Sequence, residues 1–316
     1  MYKPYQHDRV ADENHFYAVT CISNPCRYKS RYELYHRFKR RMEEASVKLM
    51  TVELALGERS FEVTRPDDSM NVQLRSRDEI WHKENLLNIG ISRLPTDWRY
   101  VAWLDADIEF LRDDWVEETV HQLQRYQVVQ MFAQALDMGS DGTLLKAHDG
   151  FAYSWLRDGL DEKLSCYQQP NYGYHPGFAW AARREAIDHL GGLFDVGILG
   201  AADNHMARGL VGTAPQSLFT RVSKGYFQAV EEWQRRATTH IRGNVGYVPG
   251  SIQHHFHGHK VDRRYLERWD IIRRYNFDPN LDLKRDWQGV LAFTERGERM
   301  RNSIRRYFNE RFEDAT

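Results

Sequence analysis

Cysteine is scarce in this chain of 316 residues: Cys21, Cys26 and Cys166 are the whole supply. So sparse and odd a set cannot build a disulfide framework, and it fits a reducing cytoplasm, which is the expected location. Long apolar runs are missing too. No stretch approaches the roughly 18 apolar residues that a membrane-spanning helix needs. The first eight residues hold no apolar core of the kind a secretory leader carries, so no such signal is expected. Charge of one sign is lacking as well. The 44 Lys and Arg against 45 Asp and Glu leave a net charge of -1, which removes any global attraction to nucleic acid or to an anionic membrane. No Gly-x-Gly-x-x-Gly follows the first apolar run, which disfavours a nicotinamide-dependent oxidoreductase. Internal repeats, low-complexity tracts and clear linkers are absent.

What is present is globular in kind, with 41% apolar and 28% charged residues. The organising stretch is Tyr100-Val101-Ala102-Trp103-Leu104-Asp105-Ala106-Asp107. Its continuous apolar run reads as a strand buried on both faces, as in a parallel sheet. Asp105 and Asp107 then stand at the carboxyl end of that strand, where open α/β sheets bind ligands. Two carboxylates there are hard oxygen ligands suited to Mg²⁺ or Mn²⁺ carrying a diphosphate. Taken alone the triplet is equally two solvated acids opening a turn.

Upstream, residues 1–15 read as a polar lead-in and residues 16–22 as a first buried strand. Ser30-x-x-Glu33 has the form of a capping box, and Tyr35, Phe38, Met42 and Ala45 recur at helical spacing behind it. Strands are expected over 47–56 and 71–75, then a helix carrying Leu87, Ile91 and Leu94 that Pro95 stops. Downstream, Val116, Val120 and Leu123 mark a helix and residues 127–133 a strand. Residues 137–173 look irregular, in the manner of a lid or binding loop. A strand over 174–181, a helix over 183–190 ended by Gly191-Gly192, and a short helix over 203–210 follow. The order predicts a doubly wound α/β sheet forming one domain over 1–260, with a helical extension over 261–316 packed on it.

Two further constellations carry chemistry. The run Gln253-His254-His255-Phe256-His257-Gly258-His259 holds four histidines. On a strand His255, His257 and His259 share one face; in a tighter turn His254 and His257 converge. So dense a cluster suggests metal binding through neutral imidazoles. Asp203 opens the 203–210 helix, as a plain N-cap or as a general base toward an acceptor hydroxyl. Thr20 and Glu53, near the ends of the first two strands, are candidate nucleoside contacts. Trp155, Tyr174 and Trp180 are candidates for a sugar platform, with core packing as the alternative for each.

Together these stretches resemble the GT-A-fold glycosyltransferases, nearest in pattern to the β-1,4-galactosyltransferases and the broader family 2 enzymes. Residues 81–91 resemble the helix before the metal motif, which implies that Lys83 reaches the donor diphosphate. Asp105-Ala106-Asp107 resembles the metal motif itself, with Asp107 the direct ligand. His257 falls where a histidine completes the metal site, and His254 where a second ligand is supplied. Residues 200–206 resemble the segment with the catalytic acid pair, Asp203 at the base position. The acid expected just before it is Ala202 here, a departure that bears on the acceptor. The resemblance implies a GT-A-type mixed sheet, Mn²⁺ or Mg²⁺, and inverting transfer from a nucleotide-sugar, a UDP-sugar first among them, with Tyr174 and Trp180 toward the acceptor.

The acceptor class stays open, a hydroxymethylated DNA base included, because Arg263, Arg264, Tyr265, Arg268, Trp269, Arg273, Arg274 and Tyr275 mix arginines with aromatics. Two rival readings are a metallohydrolase built on His255, His257 and His259, and a carbohydrate- or nucleic-acid-binding module without turnover.

Overall fold

The computed structural model describes residues 13–159, 174–218, 220–264 and 267–315. The lead-in before residue 13, Cys166 with the rest of the 160–173 insert, and Tyr265 lie outside the described residues.

The strands are β1 (Phe16–Ser23), β2 (Lys48–Leu56), β3 (Asn71–Ser76), β4 (Tyr100–Leu104), β5 (Ile108–Phe110), β6 (Val128–Gln130), β7 (Gln134–Met138), β8 (Leu144–Gly150), β9 (Tyr174–His175), β10 (Ala179–Arg183), β11 (Val245–Tyr247) and β12 (Ser251–His254). Between them run α1 (Lys29–Glu44), α2 (Lys83–Ser92), α3 (Trp115–Arg125), α4 (Phe151–Asp158), α5 (Arg184–Leu190), α6 (Ala202–Leu210) and α7 (Lys224–His240). The main sheet has seven strands in the order β11-β6-β10-β4-β1-β2-β3. β1 to β4 are parallel, and β10 enters antiparallel between β4 and β6. A second, five-stranded sheet runs β5-β12-β7-β8-β9.

Alternation along β1 explains why the main sheet is covered on both faces. Phe16 and Ala18 join a core with Phe38 and Met42 of α1, whereas Tyr17 and Val19 join the core around Leu86 and Leu87 of α2. Gly90 lets α2 lie close on β1 and β2: a Cβ there would meet Val19 Cγ1 at 2.6 Å and Val52 Cγ2 at 2.8 Å.

Three expectations need correction. The capping box does not form: Ser30 Oγ donates to the Glu313 carbonyl at 3.2 Å, and Glu33 pairs with Lys29. The first amides of α1 instead donate to the Asp314 carboxylate from the far end of the chain, at 2.8 and 2.9 Å. The stretch from Asp137 to residue 159 is regular rather than irregular, because β7 and β8 form a hairpin that feeds α4. After residue 260 the chain adds α8 (Glu267–Arg274), α9 (Pro279–Asp282), β13 (Leu283–Arg285), β14 (Leu291–Phe293) and α10 (Arg301–Asn309), so an antiparallel hairpin accompanies the expected helices. No helix among the described residues is long and apolar enough to cross a membrane.

Candidate active site

Asp105 follows β4 directly, and its amide donates to the Phe178 carbonyl at 2.9 Å. Its carboxylate is ion-paired with Lys83 Nζ from the first residue of α2. Burial nevertheless pushes the Asp105 carboxyl above its ordinary value. For Lys83, burial opposes the charge, but Asp105 and Glu84 carry its pKa well above the usual one, so the ammonium persists.

Asp107 turns toward β12. Antiparallel pairing sets Ile108 opposite His254, and the His255 amide donates to the Asp107 carbonyl at 2.8 Å. This closes a gap of some 150 positions along the chain. Asp107 Oδ2 lies 2.9 Å from His257 Nε2 and 3.8 Å from His254 Nε2, and the two ring nitrogens are 3.3 Å apart. Among the described residues, Asp107, His254 and His257 are the group of acids and imidazoles close enough to share a metal ion.

The orientation of His254 is set from behind. Parallel pairing puts Asp137 of β7 opposite it, with Asp137 Oδ1 2.8 Å from His254 Nδ1 and Oδ2 2.6 Å from His148 Nε2. Burial lowers the His254 pKa to about 4, so the ring is neutral. A carboxylate only accepts, so Nδ1–H donates to Asp137 and the Nε2 lone pair faces Asp107. Burial opposes ionisation of Asp107, yet the His257 ring and the Arg263 guanidinium hold its carboxyl well below the usual range. Its Oδ1 is buried without a hydrogen-bond partner. Two imidazole Nε2 atoms close on Asp107 Oδ2 while Oδ1 of the same carboxylate is orphaned, a mixed carboxylate–imidazole set that fits a divalent cation such as Mn²⁺.

Beside these groups lies a cavity of about 150 Å³. Cys21, Ile22 and Ser23 from the end of β1 line it, with Arg31, Trp81, Lys83, Asp105, Asp107, His257, Phe308 and Arg311. The Trp81 and Phe308 rings face each other within 5° of parallel, centroids 6.5 Å apart. Cationic groups and two carboxylates on one wall suit a diphosphate that brings its own counter-ion.

Lys83 also lines a second cavity, of about 20 Å³, together with Glu84, Gly177, Trp180 and Asp203. That is room for roughly one water. Asp203 is the second residue of α6 rather than its N-cap, which is Ala201. The helix dipole there favours a carboxylate. Asp203 Oδ1 accepts from the Asn204 amide at 2.8 Å. Gly177 permits the approach of Asp203, since a Cβ would sit 2.6 Å from Asp203 Oδ2. Two non-glycine residues beside it hold left-handed backbone, Phe178 at φ 73 and Ala201 at φ 78. Such conformations cost on the order of 1 kcal/mol each and gather at functional positions. Glu84 is buried, its Oε2 has no partner, and burial pushes its carboxyl up to about 8, with Lys83 opposing and Asp203 reinforcing.

The structure thus brings together Lys83, Asp105, Asp107, His254 and His257, and sets Asp203 and Trp180 on the far side of Lys83. Other expectations are not met in place. Thr20 is wholly buried in mid-strand and its hydroxyl donates to the Leu104 carbonyl at 2.8 Å. Glu53 points away, accepting from the Glu62, Val63 and Thr64 amides at 2.6, 3.1 and 2.8 Å. Tyr174 is core, edge-on to Phe151 and bonded through its hydroxyl to Arg208. Trp155 is half-buried on α4 and lines neither cavity. Trp180 lines the small cavity, with its Nε1 donating to the Pro176 carbonyl at 2.8 Å.

The trio His255, His257 and His259 does not assemble, because β12 ends at His254. His255 faces Glu109 at 3.3 Å, while His259 is exposed against Phe256. In the tail, Arg263, Arg268 and Trp269 are buried, and Arg264 and Arg273 pair with Glu310 and Asp270. Sequence reasoning missed Asp137, Glu84, Trp81, Phe308, Arg311 and Glu313. A carboxylate directly beside Lys83 was the one visible hint, for Glu84.

The sequence model of the family described as Glycosyl transferase family 2 matches residues 62–191, less than half of the chain. Among curated proteins none matches. Among solved structures, the catalytic domain of Drosophila β1,4-galactosyltransferase 7 in complex with xylobiose is 12% identical, with a TM-score of 0.35, over 74% of this chain and 64% of that one. A second structure of that enzyme, a mutant with manganese, UDP-Gal and xylobiose, gives 12%, 0.35, 74% and 65%. A nucleotide-diphospho-sugar transferase from Desulfovibrio desulfuricans is 10% identical, with a TM-score of 0.31, over 76% of this chain and 81% of that one. The chain therefore spans less than two thirds of the length of the two Drosophila chains.

Proposed function

We propose that this chain, whose residues 62–191 match the family 2 glycosyltransferase model, is a GT-A-type glycosyltransferase that moves a sugar from a nucleotide-sugar to a hydroxyl acceptor with a divalent cation held by Asp107, His254 and His257. The observation that carries this reading is the convergence of those three side chains, two of which, Asp107 and His257, line the same cavity as Lys83 and Asp105. A bound Mn²⁺ or Mg²⁺ supplies Lewis-acid stabilisation of the charge that gathers on the departing diphosphate.

The chain's own groups do the rest. Lys83, fixed by Asp105, presents a permanent ammonium to the diphosphate and is pre-organised for the developing charge. Asp105 assists by holding Lys83. The 150 Å³ cavity receives the nucleotide, with Trp81 and Phe308 as flat apolar walls for a base. Asp203, across Lys83 from the cation site, accepts the proton of the acceptor hydroxyl, and in-line displacement then inverts the anomeric centre. A UDP-sugar is the first donor to test, in line with the ligand of one Drosophila structure.

Thermal-shift screening of nucleoside diphosphates with and without Mn²⁺ tests the reading. The expected result is a raised midpoint with UDP and Mn²⁺ together, absent in Asp107→Asn. A midpoint unmoved by every nucleoside diphosphate with the metal present defeats it.

A further inference from the structure

His254 and His257 both turn Nε2 toward Asp107, so each has its Nδ1 behind it. For His254 that atom is held by Asp137. For His257 the carboxylate facing that atom is Glu313, three residues before the last of the sequence, with Oε2 3.8 Å from Nδ1. His257 Nδ1 is buried and has no hydrogen-bond partner. Resting on the cation reading above, we propose that Glu313 is the positioning residue for His257, and that residues 311–314 tie the cation site and the nucleotide cavity into one unit.

Three observations support it. First, the Glu313 carboxylate is fixed from two sides: Arg31 of α1 donates to it at 2.5 and 2.7 Å, and Arg311 at 2.6 Å. Its side chain is fully buried, so two guanidinium groups and one carboxylate define a rigid wall behind the imidazole. Second, the loop leaving His257 is shaped to this segment. Gly258 has φ +84, and a Cβ there would meet Glu313 Cα at 2.9 Å and the Phe312 carbonyl oxygen at 3.0 Å. Third, the same segment reaches the cavity: Arg311 lines it, next to Phe308 of α10, while Asp314 is fastened to the start of α1 through the Lys29 and Ser30 amides.

A carboxylate behind a metal-binding histidine fixes the ring and its proton, and losing one typically costs about 10- to 100-fold in metal affinity. Mn²⁺ titration of the purified full chain, with Co²⁺ visible absorption as a coordination signature, tests the proposal in the wild type, Asp107→Asn, Glu313→Asp, Glu313→Gln and Ser223→Ala. Glu313→Asp keeps the charge against Arg31 and Arg311 but withdraws it from His257 by one methylene. It is expected to stay folded, to lose about 10-fold or more in Mn²⁺ affinity, and to shift the Co²⁺ spectrum. Ser223→Ala removes the side-chain cap of α7, lowers the melting temperature, and should leave Mn²⁺ affinity unchanged. Wild-type Mn²⁺ affinity and Co²⁺ spectrum in folded Glu313→Asp and Glu313→Gln overturn the proposal. No Mn²⁺ binding by the wild type, or equal binding by Asp107→Asn, overturns the cation reading beneath it instead.

Discussion

The two sides of Lys83 are built on opposite terms. On the Asp107 side, His254 is backed by Asp137, and Asp107 lies between two imidazoles. Both sides keep buried polar atoms without hydrogen-bond partners: Asp107 Oδ1 and His257 Nδ1 on one, Glu84 Oε2 and both amide atoms of buried Asn204 on the other. Unpaired buried polar groups cost roughly 1–3 kcal/mol each, so a fold keeps few of them without reason. The difference lies in the backing: a carboxylate stands behind His254, whereas Glu84 Oε2 and the Asn204 amide have none. On the proposed function, the cation would use the ligands fixed beforehand and the acceptor hydroxyl the hydrogen-bonding capacity left beside Asp203.

The sharpest way to break that contrast is Asp107→Ala, which removes the shared ligand. Turnover should fall below detection, and the Mn²⁺-dependent thermal shift should vanish with it. Asp203→Asn strikes the other side: kcat should drop about 10²- to 10⁴-fold while the shift with UDP and Mn²⁺ persists. A full-rate Asp203→Asn enzyme would remove the base assignment and leave the cation side standing.

Glu84→Gln probes the reserve itself. With a folded pKa of about 8 above an ordinary 4.5, Glu84 binds its proton more tightly in the native state. The wild type therefore loses stability as pH climbs from about 5 to 8, by roughly 3 kcal/mol from this group. Glu84→Gln cannot ionise, so its melting temperature should gain on the wild type across that window. Parallel melting curves at pH 5 and pH 8 would mean that Glu84 is already ionised and paired. The smallest effect is expected from Asp137→Asn, about 10-fold in Mn²⁺ affinity with the fold retained, read by titration.

The residues that gather around Asp107 were largely legible in the sequence because local signals pointed the same way. A continuous apolar strand delivers Asp105 and Asp107 to its carboxyl end, and the density of histidines around His257 is visible without any fold. Thr20 misled because β1 runs on to Ser23, which leaves Thr20 inside the strand rather than at its end. Glu53 misled because the side chain it offers satisfies three amides of a loop some ten residues ahead. Asp137 was hidden by Gly139 and Gly142, which look like loop punctuation but shape a hairpin. Glu313 gave no signal at all, since its partners Arg31 and His257 are set by tertiary packing alone. The same distance defeated the capping box: Asp314 outcompetes Ser30 from the other end of the chain.

β12 is four residues long and is clasped between β5 and β7. Its alignment acts as a reading frame for the histidines. Moving it by a single position would swing His254 to the opposite face and offer His255, now turned to Glu109, where Asp137 and Asp107 wait. One residue inserted into the turn at 248–250 could leave the sheet intact to every probe of folding while scrambling the message that the strand spells.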